Sequence, residues 1–277
     1  MNKYWFIIIV LFNACIDHVQ VPLPKGPERL VVFGWITSER AAYQVKLSKS
    51  TIFEDQSGYP AISNASVYVS DSWNNHYAFE ESDTLGTYKS DPSIFQAQVG
   101  QKYQLHISIG NEEYVSEWET IMPLSSIDYA FISHVADPNK FEIEPDEQNY
   151  YVSAFVHDDP KVDNFFRWKI FVDNELRNLP SELSLFNDTF TNGNRSRQDA
   201  TNVLFVEGRQ IKIRNMSITR RAFEYFDAIQ SQADNSTFSP RSNPAAIIGN
   251  IRNVKDSTEL ILGYFGVSQV EEVELNP

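Results

Sequence analysis

The feature that most constrains the fold of this chain is a succession of short segments in which apolar and polar residues alternate. In Lys102–Ile109, the apolar residues Tyr103, Leu105, Ile107 and Ile109 are separated by polar ones. A period of two is typical of a β-strand with one buried face and one solvent-facing side. The pattern therefore favours pleated sheets over helical bundles.

Seven strand-like runs occur in fewer than a hundred residues, with turn residues and no helical period between them. They are Arg29–Thr37, Tyr43–Ser48, Ala65–Asp71, His76–Glu81, Gly86–Ser90, Lys102–Ile109 and Glu113–Thr120. Short strands at this spacing predict an immunoglobulin-like antiparallel β-sandwich. We expect this first domain over residues 28–123, ending in the proline-containing stretch Ile121–Ser126.

The second half of the chain continues the strand pattern and adds one helix. Strand-like runs are present in Asn149–Asp159 and in Phe165–Glu175. A helix is predicted over residues 218–233, because its apolar residues recur at helical spacing, with Ser217 or Thr219 as N-cap. The chain is therefore expected to be mainly β, with two β-sandwich domains, the second over residues 124–277 with one packed helix.

Length and charge restrict the function classes. A chain of 277 residues exceeds the usual size of one domain. Its formal net charge of −14 repels phosphate backbones, and no basic stripe interleaved with aromatic residues occurs. We therefore expect no nucleic-acid partner.

The N-terminus predicts export and lipid attachment. An apolar run of nine residues, Tyr4–Phe12, follows Lys3 and is too short to span a membrane, so residues 1–14 are interpreted as a signal peptide. Cys15, the single cysteine, follows Ala14 as in the lipobox of bacterial lipoproteins, although Phe12 stands where leucine is usual. Lipidated Cys15 would then anchor the protein to a membrane. The alternative is an idle cysteine in a discarded signal peptide.

The segment that follows the cysteine is interpreted as a tether. Residues 15–27 contain three prolines, which favour an extended conformation of about 3.1 Å per residue. A short strand is the alternative interpretation of this segment.

No motif for catalysis or for a cofactor is recognisable in the sequence. The densest acidic group is Asp158, Asp159 and Asp163, whose oxygens are the ligands that Ca²⁺ prefers. The alternative is a turn between strands in which Asp caps backbone N–H groups and Pro160 sets the bend. The five histidines have no ligand spacing.

Three aromatic residues lie among polar turn residues and are candidate ligand-binding positions: Tyr59, Trp73 and Phe238. Exposed aromatic rings offer a large contact area at low entropic cost, which suits a sugar- or peptide-binding surface. Packing under a loop is the alternative role.

Several stretches of the chain are similar to one known family, the domain of unknown function 4249 family of Bacteroidota lipoproteins. The similar stretches read ERLVVFGWIT, ISNASVYVSD, RRAFEYFDAIQSQ, NPAAIIGNIRN and LGYFGVSQVEEVEL. The resemblance implies an outer-membrane lipoprotein that works beside a TonB-dependent receptor, with an N-terminal sandwich like the carboxypeptidase regulatory fold. It supplies no functional residues, and the leaflet that the protein faces stays open.

Taken together, these features predict a non-enzymatic accessory lipoprotein that captures a nutrient together with the receptor. The first alternative is a structural or assembly role in the envelope. The second is a hydrolase whose site has no recognisable motif.

Overall fold

The described part of the chain folds into three β-sheets and one α-helix. The computed structural model describes residues 27–51, 58–135, 149–157, 163–189, 193–238 and 246–275. Within these ranges there are 18 strands, α1 and a short 3₁₀ helix, Pro180–Glu182. The prediction of a mainly β chain is therefore confirmed.

The strands of the described ranges have the following bounds. The first eight are β1 (Leu30–Thr37), β2 (Gln44–Lys49), β3 (Ser66–Asp71), β4 (His76–Glu81), β5 (Thr87–Ser90), β6 (Lys102–Ile109), β7 (Glu112–Ser116) and β8 (Glu119–Thr120). The next seven are β9 (Ser126–His134), β10 (Tyr150–His157), β11 (Phe165–Val172), β12 (Glu175–Arg177), β13 (Ser184–Asn187), β14 (Ser196–Phe205) and β15 (Ile211–Ile218). Helix α1 (Arg220–Phe238) precedes β16 (Ile251–Asn253), β17 (Leu262–Ser268) and β18 (Val270–Leu275).

The first sheet contains ten strands in the order β16-β7-β6-β3-β4-β5-β2-β1-β17, with β8 paired to β6. β1 and β17 are parallel, whereas the other described pairs of this sheet are antiparallel. Alternate residues of each strand face a core that includes Val32, Val45, Val69 and Leu105. The period of two in the sequence thus corresponds to one buried face.

Two strands from the end of the chain complete this first sheet. Phe265 and Val267 of β17 and Ile251 of β16 are buried in the same core as β1. The structure therefore differs from the predicted division between residues 123 and 124, because the first sandwich includes residues of the C-terminal region. The physical reason is that β17 covers the edge of β1, which would otherwise expose unpaired backbone groups.

The two ends of the ten-stranded sheet approach each other through Asn250, which precedes β16. Its side-chain amide donates to the backbone oxygen of Phe265, and its side-chain oxygen accepts from the backbone N–H of Phe265. Gly249 lies so close that a Cβ there would be 1.6 Å from the oxygen of Gly263. The sheet is thus nearly closed on itself around its core.

The second sandwich consists of a three-stranded sheet, β14-β10-β9, packed on a five-stranded sheet that contains β12-β11-β15-β18 and β13. Val152 and Ala154 of β10 share a core with Trp168 and Ile170 of β11. The opposite face of β11 is turned toward the first sheet and the helix, where Phe165 is buried in a third core. Both faces of β11 are therefore covered.

Helix α1 begins two residues after the predicted start, directly behind one of the two N-cap candidates, and ends later than predicted. The backbone N–H of Ala222 donates to the Thr219 hydroxyl at 3.2 Å, so Thr219 acts as the N-cap. The helix continues to Phe238, past the predicted end at residue 233, since no glycine or proline interrupts the sequence before Pro240. Within the described ranges, no helix has the length and apolar character needed to cross a membrane.

A buried carboxylate holds the helix start against the first sheet. Glu119 is only 2% exposed, and it accepts hydrogen bonds from the hydroxyls of Tyr264 (2.5 Å) and Thr219 (2.7 Å). Burial raises the pKa of Glu119, although these hydrogen bonds act in the opposite direction. Glu119 therefore connects the start of α1, through Thr219, to β17, through Tyr264, and its role is structural.

Candidate functional site

A cleft of about 430 Å³ lies between the first sheet and the five-stranded sheet. We call it the inter-sheet cleft. Its apolar lining includes Phe33, Trp35, Phe171, Leu176 and Met216, and its charged lining consists of Glu39, Lys46, Lys169 and Arg214. This volume is in the range of small-molecule sites, which combine an apolar lining with a few polar groups.

The wall formed by the first sheet is aromatic. Phe33 and Trp35 are alternate residues of β1, on the face opposite to the first core, and Phe33 remains 45% exposed. The indole N–H of Trp35 donates to the hydroxyl of Ser268 at 2.9 Å. The ring lies over Gly266, where a Cβ would be 2.2 Å from the indole. Gly266 therefore allows Trp35 to lie flat in the cleft wall.

The opposite wall carries cations. Lys169 of β11 and Arg214 of β15 are direct partners across the antiparallel pair, a position in which like charges repel each other. Arg167, two residues before Lys169, is buried on the same face of β11 with its guanidinium 4.3 Å from the centre of the Phe226 ring. Three cations are thus concentrated on one small area of an acidic protein.

The charge of Arg214 is compensated, whereas no described residue compensates that of Lys169. Arg214 donates to Glu272 at 2.8 Å and also forms an ion pair with Glu39. Among the residues that the structure describes, Lys169 has neither a hydrogen-bond nor an ion-pair partner. Burial, followed by repulsion from Arg167 and Arg214, lowers the pKa of Lys169 to about 8. An anion beside this ammonium group would relieve both effects.

A larger hollow, of about 610 Å³, lies beside β4 and β5. Two of its three carboxylates already have partners. Glu81 accepts from the backbone N–H groups of Asn64 and Gly86. Asp91 likewise accepts from the backbone N–H and the hydroxyl of Ser93. These groups stabilise turns, so this hollow is a weaker candidate than the inter-sheet cleft.

The outer face of the three-stranded sheet carries a row of aromatic rings. Phe131 stacks with Tyr129 and with Phe155, and the guanidinium groups of Arg195 and Arg197 lie over Phe155 and Phe131. Each arginine also has a carboxylate partner, Asp128 or Asp199. The charges on this face are therefore satisfied within the protein.

The two predicted aromatic side chains that the structure describes, Tyr59 and Trp73, lie in exposed turns or loops. Trp73 is 61% exposed in the turn between β3 and β4, and Tyr59 is 73% exposed before the residues that bond to β2. Neither lines the inter-sheet cleft. Phe238 is the last residue of α1 rather than a loop residue, and its side chain lies outside the described part of the chain.

The predicted acidic site is only partly described. Asp158 and Asp159 lie outside the described residues, as does Cys15. Asp163 is described, and its carboxylate forms an exposed ion pair with Arg220 at 3.0 Å. Within the described ranges, no three His, Cys, Asp or Glu side chains are grouped as a metal site requires.

The inter-sheet cleft was not predicted from the sequence. Its residues come from strands that are far apart in the chain, β1 and β11 with β15. One signal was present, since Arg167 and Lys169 occur in a strand that is otherwise almost entirely apolar. Alternation alone assigns such cations to a solvent-facing side, whereas here that side faces another sheet.

Comparison with known proteins supports the resemblance seen in the sequence. A comparison with curated proteins found no match. The profile of a protein family described as "Domain of unknown function (DUF4249)" matches residues 16–274, which is nearly the whole chain. The chain therefore belongs to the DUF4249 family.

Proposed function

We propose that this protein is a non-enzymatic binding protein of the cell envelope and that the inter-sheet cleft holds its ligand. The observation that carries the proposal is the cleft itself, which combines an aromatic wall with an ammonium group that has no partner among the described residues. Such a lining suits the capture of a small molecule. Membership of DUF4249 assigns no activity.

The proposal also includes the location of the protein at the outer membrane. Lipid on Cys15 would hold the protein at the outer membrane, and the proline-containing residues 16–27 would separate the folded part from the bilayer. A TonB-dependent outer-membrane receptor is the proposed partner, to which the captured nutrient would pass. The resemblance of the sequence to lipoproteins of this kind supports both points.

Ligand capture is tested by native mass spectrometry of the full-length protein extracted from membranes. We expect a small molecule to remain bound. Ala42 lines the cleft and is exposed, so Ala42→Trp should fill the cleft and abolish this adduct. Ala78→Trp is the matched control, because Ala78 is an exposed alanine of the other hollow. An adduct that survives Ala42→Trp would contradict the assignment of the site.

The anchor and the partner are tested in cells. Cys15→Ser should move the protein from the membrane fraction to the soluble fraction, and mass spectrometry of the mature N-terminal peptide should show an acylated cysteine. Affinity purification from solubilised outer membranes should recover a β-barrel receptor. Recovery of the Cys15→Ser variant with membranes would refute lipid anchoring, and absence of a receptor would refute the partnership.

A structural role in the envelope is the alternative function. Cells without the protein would then have envelope defects on every carbon source. A growth defect on one nutrient supports the binding role instead.

A further inference from the structure

On the inner wall of the inter-sheet cleft, the positive charge of Lys169 is not compensated by any described residue. Arg214 is neutralised by Glu39 and Glu272. Lys169, directly opposite Arg214 across the strand pair, has no partner among the described residues. Lys169 is half-buried, and a partly desolvated ammonium group without a partner is unfavourable unless an anion meets it. The inner wall therefore provides a site for one negative charge.

The position of Glu39 limits the charge of a ligand. Its carboxylate lines the same cleft and is held there by Arg214. A dianion such as a phosphate monoester, bound between Lys169 and Arg214, would approach this carboxylate with a second negative charge. A singly charged carboxylate fits the balance of charges better.

The aromatic wall favours an apolar or planar body for the part of the ligand that does not carry the charge. Phe33 and Trp35 on one side and Phe171 on the other line the cleft. Phe33 is almost half exposed, although a residue of this kind is usually buried. These rings provide contact area for an apolar or planar body.

From this arrangement we infer that the ligand of the inter-sheet cleft is a small organic monocarboxylate with an apolar or aromatic body, and that Lys169 binds its carboxylate. This inference rests on the proposed function and specifies the ligand class. Arg214 is already paired with Glu39 and Glu272 and leaves the anion to Lys169, and Trp35 packs against the apolar body.

The first test compares two probes of the same shape on the native full-length protein. The carboxylate is 4-phenylbutyrate, and the neutral probe is 4-phenylbutyramide. Binding is followed by calorimetry and by tryptophan fluorescence. We expect the carboxylate to bind at least about tenfold more tightly than the amide, because only the carboxylate can form a charge-assisted hydrogen bond with the Lys169 ammonium group. Equal affinities for the two probes would overturn the inference without requiring any variant.

The second test removes single cations from the cleft. Lys169→Met should weaken carboxylate binding by about tenfold or more and leave amide binding unchanged. Lys102→Met is the matched control, because Lys102 is an exposed lysine of a strand that does not line the cleft, and we expect a change of less than about threefold. Lys169→Arg keeps the charge and should retain most of the carboxylate affinity. Loss of amide binding in Lys169→Met would indicate a structural role instead.

The third test uses pH. Carboxylate affinity should fall as the pH rises through the pKa of Lys169, about 8, while amide affinity stays constant. The charged and titratable groups that face Lys169 or line the cleft are Arg167, Arg214, Glu39, Lys46 and Tyr43. Burial raises the pKa of Tyr43 above its ordinary value of 10, so the tyrosine stays neutral in this interval. A pH-independent carboxylate affinity would overturn the inference.

The outcomes separate the ligand class from the proposed function. If neither probe binds but Ala42→Trp removes a native adduct, the cleft is a binding site for another class and only the ligand assignment fails. If the amide binds as well as the carboxylate, the binding role stands and the role of Lys169 fails. If no probe binds and no adduct is found, both proposals fail.

Discussion

The surroundings of Lys169 disfavour its positive charge. Its ammonium group lies between two sheets, beside Arg167 and opposite Arg214, and has no anion among the described residues. Removal of a charge from water costs free energy that only a partner returns. A residue that carries such a cost in the unliganded protein is a strong candidate for a binding role.

The first prediction is that Lys169→Met stabilises the unliganded protein. At pH 7 the free energy of unfolding should rise by about 0.5–2 kcal/mol, because methionine fills a similar volume without a half-buried, unpaired charge. Chemical denaturation with urea measures this change. Lys46→Met, at an exposed position, should alter stability by no more than about 0.5 kcal/mol. A destabilised Lys169→Met protein would mean that the ammonium group has a structural partner.

The pH dependence of stability provides a second readout for the same residue. The folded-state pKa of Lys169, about 8, is below the ordinary value of 10.5. As the pH rises, the folded state therefore loses this proton before the unfolded state does. The contribution of Lys169 to the free energy of unfolding should increase between about pH 8 and 10.5 and be absent in Lys169→Met.

At the residue scale, sequence patterns predict burial better than they predict binding. Thr219, one of the two candidate N-caps, does cap α1. The aromatic residues Tyr59 and Trp73 are candidates because polar turn residues surround them, and they are indeed exposed. The aromatic residues of the cleft, Phe33 and Trp35, occur in an apolar strand, and local sequence does not show that their face is turned toward a second sheet.

At the scale of elements, the sequence predicts where strands lie but not which strands pair with each other. The predicted run Lys102–Ile109 is β6, and His76–Glu81 is β4, with identical bounds. The run Glu113–Thr120 divides into β7 and β8, since residues between them leave the sheet. The parallel pairing of β1 with β17 leaves no local signal, because the period of two is the same for any partner.

The β1–β17 pair depends on Gly263, which leads to the prediction for this scale. Gly263 has φ +93, and a Cβ there would be 1.9 Å from the backbone oxygen of Val32 in β1. Gly263→Ala should therefore combine backbone strain of about 1–2 kcal/mol with a clash that costs about 1–3 kcal/mol more. Urea denaturation measures the sum.

Gly208→Ala is the matched control for this substitution. Gly208 also has a positive φ, +78, but a Cβ at this position would have no described atom within 4 Å. It should show only the backbone strain, so the difference between the two variants isolates the contact with β1. Equal destabilisation of the two variants would show that the close approach of β17 to β1 does not constrain the sheet.

At the scale of the whole molecule, the C-terminal strands connect the first sheet to the second sandwich. β16 and β17 belong to the first sheet, whereas β18, which follows β17 after Gln269, pairs with β15 in the second sandwich. Helix α1 packs between the two, with Phe226 close to Trp35 of the first sheet. The cleft exists only where these parts meet, and this is why a division at residue 123 conceals it.

The last prediction concerns a fragment of residues 28–123, the range that sequence patterns assign to the first sandwich. Alone it should not fold cooperatively, because it lacks Phe265 and Val267 of the first core and leaves the edge of β1 unpaired. Proton–nitrogen NMR spectra should show poor dispersion.

Addition of a peptide of residues 246–269 should restore a dispersed spectrum, since it supplies both missing strands. The matched control peptide carries Phe265→Ser and Val267→Ser and should not restore the spectrum, because its strand cannot fill the core. A fragment that is well dispersed without any peptide would show that the first sandwich folds independently of the C-terminal strands.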